Sequence, residues 1–212
     1  QRYSTLAQIT PDNVDQLKVA WTAHTGDLPQ GAGEGKYAAE TTPLKVGNRL
    51  YMCTAMNQML ALDANNGKVL WRYDPGVSTD AIPYSASCRG VTAFDPTKGS
   101  TALDNNTARP TPAQVASTSI TGPATALEEC TGLRILEATL DARLIEVDAD
   151  TGKPCPGFGT NGEVDTTVGL GNVYPGMAAM TVAPTIVNGT IVVGRQVMDG
   201  QRNDAPSGAI MA

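Results

Sequence analysis

The chain has 212 residues and a formal net charge of −6, with 41% apolar and 17% charged residues. It has no Lys/Arg cluster to support nucleic-acid binding. It also lacks any apolar run near the ~18–20 residues that a membrane-spanning helix requires. Twenty-two glycines and 14 prolines imply many turns and few long helices. Four cysteines without CxxC spacing and a single histidine, His24, do not suggest a zinc site.

In chain order, KVAWTAHT (18–25) reads as an edge-type strand after a Pro-Asp-Asn start. TTPLKVGNRLYMCTA (41–55) reads as a hairpin turning at Gly47-Asn48. QMLALDANNGKVLWRYD (58–74) is a second hairpin with Asn-Gly at its turn. Residues 95–129 are rich in Thr, Pro, Ser, Ala and Asn with no hydrophobic period. They read as a long mobile surface loop inserted between blades, one that tolerates deletion. RILEATLDARLIEVDADTGKPCPGFG (134–159) repeats the inner half of the preceding unit, and MTVAPTIVNGTIVVGRQ (180–196) is a hairpin turning at Asn188-Gly189.

Four segments of this chain repeat one another. RLYMCTAMNQMLALDANNGK (49–68) aligns without gaps on RILEATLDARLIEVDADTGK (134–153), and TPLKVGNRLYM (42–52) aligns on APTIVNGTIVV (183–193). Lys-Val-x-Trp recurs at Trp21 and Trp71. Self-similarity at ~40–50 residues in strand-and-turn segments predicts an all-β fold of the β-propeller type. About two and a half blades are expected in 1–212, with the rest of the circle supplied in cis or by a second chain. Residues 1–212 alone are then not expected to form a stable monomer, because open blade edges would remain unpaired.

Trp21 and Trp71 are expected to pack between blades. Asp63 and Asp148 are expected to close their hairpin turns; DADTG lacks the other ligands and the final Glu of a calcium loop. GLGNVYPG (169–176) is not followed by a helix and is no nucleotide loop. An even cysteine count permits disulfides. Cys88 and Cys130 flank the 95–129 segment and are the first pair to expect; four reduced, buried cysteines are the alternative.

Several blocks, in this order, resemble the pyrroloquinoline quinone (PQQ)-dependent dehydrogenases. They are QRYSTLAQITPDNVDQLKVAWTAHTGD, GKYAAETTPLKVGNRLYMCTAMNQMLALDANNGKVLWRYDP, IPYSASCRGV, LDARLIEVDADTGKPCPGFGTNG, VYPGM and VMDGQRNDAPSGAIMA. The branch they are most similar to is the membrane-bound glucose/quinate/shikimate group. The resemblance implies an eight-bladed propeller facing the periplasm, PQQ and Ca²⁺ on its axis, oxidation of a polyol or sugar hydroxyl, and electron delivery to membrane ubiquinone. By resemblance, Glu40 in AAETTP, Arg89 in SCRGV and Thr181 in MTVAP contact PQQ, and Asp199 in VMDGQ is a Ca²⁺ ligand. A planar guanidinium suits the carboxylates and ortho-quinone of PQQ, and Ca²⁺ needs 6–8 oxygen ligands, so Asp199 is one of several. Gly200 stands where some relatives have Asn.

Glucose-oxidising members carry a histidine four positions before the arginine; here that position is Ser85. The expectation is therefore a quinate- or shikimate-like hydroxy acid or another polyol, with glucose as the alternative. Methanol-oxidising relatives have adjacent cysteines near this block, whereas only Cys88 is present here. The family's catalytic aspartate and quinone-contacting lysine belong to later blades, so no catalytic residue is assigned in this chain. A non-catalytic propeller scaffold is the competing class; it would need none of Glu40, Arg89 or Asp199 on the axis.

Overall fold

The computed structural model describes residues 6–29, 35–97, 100–101, 130, 132–198, 200, 203–206 and 208–212. A short strand, β1 (Tyr37–Ala38), leads into the first blade: β2 (Leu44–Val46), β3 (Arg49–Cys53), β4 (Met59–Asp63) and β5 (Val69–Tyr73), paired antiparallel in that order. A second lead-in, β6 (Ala86–Ser87), precedes the second blade. Its strands are β7 (Thr92–Asp95), β8 (Ser100–Thr101), β9 (Arg134–Ala138), β10 (Arg143–Asp148) and β11 (Glu163–Asp165), in the spatial order β11-β10-β9-β7-β8. A third lead-in, β12 (Ala178–Ala179), precedes the hairpin of β13 (Thr185–Val187) and β14 (Thr190–Val192); β15 (Gln196–Val197) pairs back on β12. These are the repeated sheets of a β-propeller.

The repeats keep one register. Arg49 pairs with Asp63 and Cys53 with Met59 in the first blade; Arg134 pairs with Asp148 in the second. Asn188 and Gly189 both take left-handed φ, +51° and +81°, as a two-residue hairpin turn requires. Asp63 accepts from the Asn65 amide at 2.8 Å, and Asp148 accepts from the Thr151 amide at 2.8 Å. Both aspartates therefore close turns, as expected.

Alternation along the strands gives each blade two apolar faces. Tyr51, Cys53, Met59, Ala61 and Trp71 face the second blade, where Ile135, Ile145 and Val147 meet them in one buried cluster. Trp71 lies across Gly152 of the next blade, and its indole N–H donates to the Ala149 carbonyl at 2.9 Å. Trp21 does the same to the first blade, over Gly67 and onto the Ala64 carbonyl at 3.1 Å. Segment 18–25 is not a strand, contrary to expectation. No described residue offers it a ladder partner; Trp21 and a bond from the Arg72 guanidinium to the Thr25 carbonyl hold it to the first blade. At the outer edge the Tyr73 hydroxyl donates to Glu163 at 2.9 Å; burial, then that acid, push the phenol up to about 12.

The cysteines pair differently from the sequence expectation. The disulfides are Cys53–Cys88 and Cys130–Cys155, not Cys88–Cys130. The ladder explains why. β7 pairs antiparallel with β9, Thr92 opposite Leu136 and Phe94 opposite Arg134. Cys88 lies before the start of β7, and Cys130 lies beyond its other end. Flanking a segment in sequence did not mean flanking it in space. Ser100–Thr101 pairs with Phe94–Asp95, and the segment joins β7 to β9, neighbours within the second blade. The rest of the expected loop, 102–129, lies outside the described residues.

One polar cluster is sealed in the interface between the two blades. Asn57 and Glu137 are both 0% exposed. The Asn57 amide donates to Glu137 Oε1 at 2.9 Å and accepts from the Leu140 N–H at 3.0 Å. Glu137 Oε2 has no hydrogen-bond partner among the described residues. The repeat places Met52 at the equivalent position, so the carboxyl stands in an apolar column. Burial drives the Glu137 pKa well above the usual carboxylate range; Asn57 opposes and Asp141 adds to the rise. Burial therefore favours the neutral acid.

Two outcomes follow from these contacts. A Cβ on Gly152, at φ +71°, would sit 2.6 Å from the Trp71 ring, whereas one on Gly189 would meet nothing within 4 Å. Gly152→Ala should lower unfolding free energy by about 2–4 kcal/mol, and Gly189→Ala by only the backbone cost of about 1–2 kcal/mol. Denaturant titration of both variants checks this. Glu137 sets a pH trend: as pH climbs past about 4.5, the unfolded chain ionises while the folded state keeps its proton. Its contribution to stability is thus whole at low pH and is lost as pH rises toward the folded pKa. Glu137→Gln should show little change at pH 4 and a growing relative gain by pH 7–8. A constant offset across that range would contradict the neutral-acid assignment.

Candidate functional site

The three lead-in segments place equivalent residues side by side. Glu40, Arg89 and Thr181 each stand three positions before Pro43, Thr92 and Pro184, residues at or just before the start of an inner strand: β2 from Leu44, β7 from Thr92 and β13 from Thr185. Adjacent lead-ins are joined through their backbones. β1 runs parallel to β6, with Tyr37 opposite Ala86 and Ala38 opposite Ser87. Beyond them, the Thr42 N–H donates to the Arg89 carbonyl at 3.1 Å, and the Arg89 N–H donates to the Thr181 carbonyl at 2.8 Å. Gly90 lets the chains approach this closely: at φ +151°, an added Cβ would lie 3.3 Å from the Thr42 carbonyl oxygen.

The side chains converge as the backbones do. Arg89 Nε lies 3.1 Å from Glu40 Oε2, and Arg89 Nη1 donates to the Thr181 hydroxyl at 2.5 Å. Thr181 is buried, whereas the Arg89 and Glu40 side chains remain 51% and 41% exposed. An ion pair this exposed contributes only ~0–1 kcal/mol to stability. Its effect is orientation: Glu40 and Thr181 hold the guanidinium from two sides and leave part of it facing solvent.

This set suits a flat ligand that carries both acceptors and a donor. Arg89 offers N–H groups to carboxylate or quinone oxygens in a fixed fork. Thr181 offers a hydroxyl, and Glu40 offers acceptor oxygens to a ring N–H. PQQ has three carboxylates, an ortho-quinone and a ring N–H, so the residues fit it. Asp199, expected to bind Ca²⁺, lies outside the described residues. Its neighbour Met198 donates its N–H to the Met177 carbonyl at 3.2 Å, which joins this segment to the Thr181 lead-in. Ser85 is exposed on the segment that leads to Arg89.

Sequence reasoning missed what lies beneath these residues. Cys88 precedes Arg89 directly and is bonded to Cys53 at the end of β3, with Cα atoms 5.9 Å apart. The Thr41 hydroxyl, next to Glu40, donates toward Cys53 Sγ at 3.4 Å. The repeat held the clue. Cys53 and Cys88 occupy the columns of Ala138 and Met180, which belong to one apolar cluster in the next repeat.

A family model described as "PQQ: Glucose/ethanol/alcohol dehydrogenase, beta-propeller domain" matches residues 1–212. The chain is 46% identical over 209 residues to the glycerol dehydrogenase large subunit of Gluconobacter oxydans, covering 99% of this chain and 25% of that protein. It is 40% identical over 212 residues to the quinate/shikimate dehydrogenase (quinone) of Acinetobacter baylyi, covering 100% of this chain and 24% of that protein. Among solved structures, a quinohemoprotein alcohol dehydrogenase from Pseudomonas putida HK5 superposes with a TM-score of 0.60 at 26% identity, over 93% of this chain and 21% of that one. The chain thus spans about a quarter of the length of the curated relatives it matches. With its propeller sheets and its match to the family model over 1–212, the chain belongs to the β-propeller family of PQQ-dependent dehydrogenases.

Proposed function

We propose that this chain is the cofactor-facing part of a PQQ-dependent dehydrogenase that oxidises a hydroxyl of a polyol or cyclic hydroxy acid. The observation that carries the reading is the convergence of Glu40, Arg89 and Thr181 from three successive lead-ins. The glycerol and quinate/shikimate relatives support the substrate class. Ser85, in place of a histidine, leaves a smaller, uncharged wall beside the site and turns preference away from glucose.

PQQ, when bound, would supply a two-electron acceptor for the hydride leaving the substrate's carbinol carbon. Arg89 would hold an oxygen of that cofactor and would favour negative charge there. Thr181 and Glu40 fix the plane in which Arg89 does so. Asp199 supplies one oxygen to a Ca²⁺ ion that would polarise the quinone carbonyl. No general base is assigned among these residues. The reading places the enzyme on the periplasmic side of the inner membrane, with ubiquinone as acceptor and the other blades completing the ring. Two formed disulfides suit such an oxidising compartment. No helix among the described residues is long and apolar enough to cross a membrane.

In the complete enzyme, Arg89→Ala should weaken PQQ binding by about 30-fold or more, as loss of a charged partner to an anion costs ~2–5 kcal/mol. PQQ titration by fluorescence quenching checks this; unchanged affinity removes Arg89 from the site. Asp199→Ala should raise the Ca²⁺ concentration needed to reconstitute the apoenzyme while leaving its melting temperature within a few degrees. Dye-linked assays should rank glycerol, quinate or shikimate above glucose. Faster turnover of glucose would overturn the substrate half and leave the cofactor assignment standing.

A further inference from the structure

We propose that the Cys53–Cys88 disulfide is a positioning element for the cofactor clamp, a covalent tie that sets Arg89 and Glu40 from behind. The inference rests on the PQQ reading above, and three independent observations carry it.

The first is placement. Cys53 ends β3, in the first blade. Its sulfur is bonded to Cys88, whose peptide continues into Arg89, and it receives the Thr41 hydroxyl, one residue from Glu40. One sulfur atom thus touches the chain neighbours of both members of the Glu40–Arg89 pair. Cys53 and Cys88 are 0% and 2% exposed, so the tie lies wholly beneath the half-exposed side chains it serves.

The second is the internal control that the repeat provides. In the next repeat the same two columns hold Ala138 and Met180, which share one apolar cluster with no covalent tie; there the Met180 N–H donates to the Thr139 carbonyl at 2.9 Å. That pair lies behind Thr181, which offers a hydroxyl on a short β-branched side chain. The covalent version lies behind Arg89, a long side chain with many rotamers and the only cation of the three. Ordering such a side chain before the ligand arrives removes entropy that binding would otherwise lose.

The third is Glu137. One of its carboxyl oxygens and the two cysteine sulfurs lie within 4.8 Å of one another. Oε2 is buried with no hydrogen-bond partner among the described residues. Burial favours its neutral form, which puts no anion behind Arg89. The guanidinium charge therefore stays directed at Glu40 and at whatever binds in front.

The test is a PQQ titration of the complete apoenzyme with Ca²⁺ present, read as Kd, alongside the melting temperature without PQQ. Cys53→Ala/Cys88→Met copies the next repeat and should raise the Kd about tenfold, within the range that lost preorganisation produces. Cys53→Val/Cys88→Ala, a second apolar filling, should do the same and stands in if the first does not fold. Cys130→Ala/Cys155→Ala, which removes the disulfide away from the clamp, should lower the melting temperature and leave Kd within twofold. In an Arg89→Ala background the Cys53/Cys88 change should add much less, because most of its effect passes through Arg89. The proposal is overturned by an unchanged Kd, by an equal rise on removing Cys130–Cys155, or by the same fold-change with and without Arg89. Failure of the unaltered enzyme to bind PQQ at all would overturn the proposed function itself.

Discussion

The backbone of Arg89 is the constraint on which the site depends. Its carbonyl accepts from Thr42 of one lead-in and its N–H donates to Thr181 of the other. These two bonds set three blades in register at their inner edge. They also decide where the side chains of Glu40, Arg89 and Thr181 can meet. A site made this way belongs to no single blade. It forms only when neighbouring repeats dock, which couples the local geometry of the clamp to the assembly of the sheets.

Docking is secured differently along the width of the blade. Toward the outside a tryptophan lies flat on a glycine of the next repeat and donates to a carbonyl beside it, at Trp21 and again at Trp71. That contact is apolar area plus one hydrogen bond, and it repeats unchanged. Toward the inside the repeats diverge. Between the first two blades stand a disulfide, Asn57 and a buried Glu137. Between the second and third stand Ala138, Leu144, Met180 and Val193. Chemistry is varied near the site and held constant away from it.

Much of the fold could be read from the chain because its signals are local. Asn188-Gly189 turns where two left-handed residues must sit, and Asp63 and Asp148 close turns with their own side chains. The column alignment of 49–68 on 134–153 corresponds to a shared ladder register. Glu40, Arg89 and Thr181 could be named separately, and their shared offset before Pro43, Thr92 and Pro184 was already present in the sequence. What could not be read was pairing across space. Cys88 and Cys130 bracket one segment yet end at opposite ends of a strand ladder. Segment 18–25 has strand composition but no described neighbour to pair with. Nothing in RILEA reveals that the face carrying Glu137 is sealed by the preceding blade.

The central claim is that Arg89, Glu40 and Thr181 form one face of a PQQ site. A structure of the complete enzyme soaked with PQQ tests it most directly. The account predicts planar cofactor density in front of the Arg89 guanidinium, with a quinone or carboxylate oxygen within hydrogen-bond distance of it and with Glu40 and Thr181 in contact. Well-defined PQQ elsewhere, with Arg89 still turned only to Glu40 and Thr181, would contradict it.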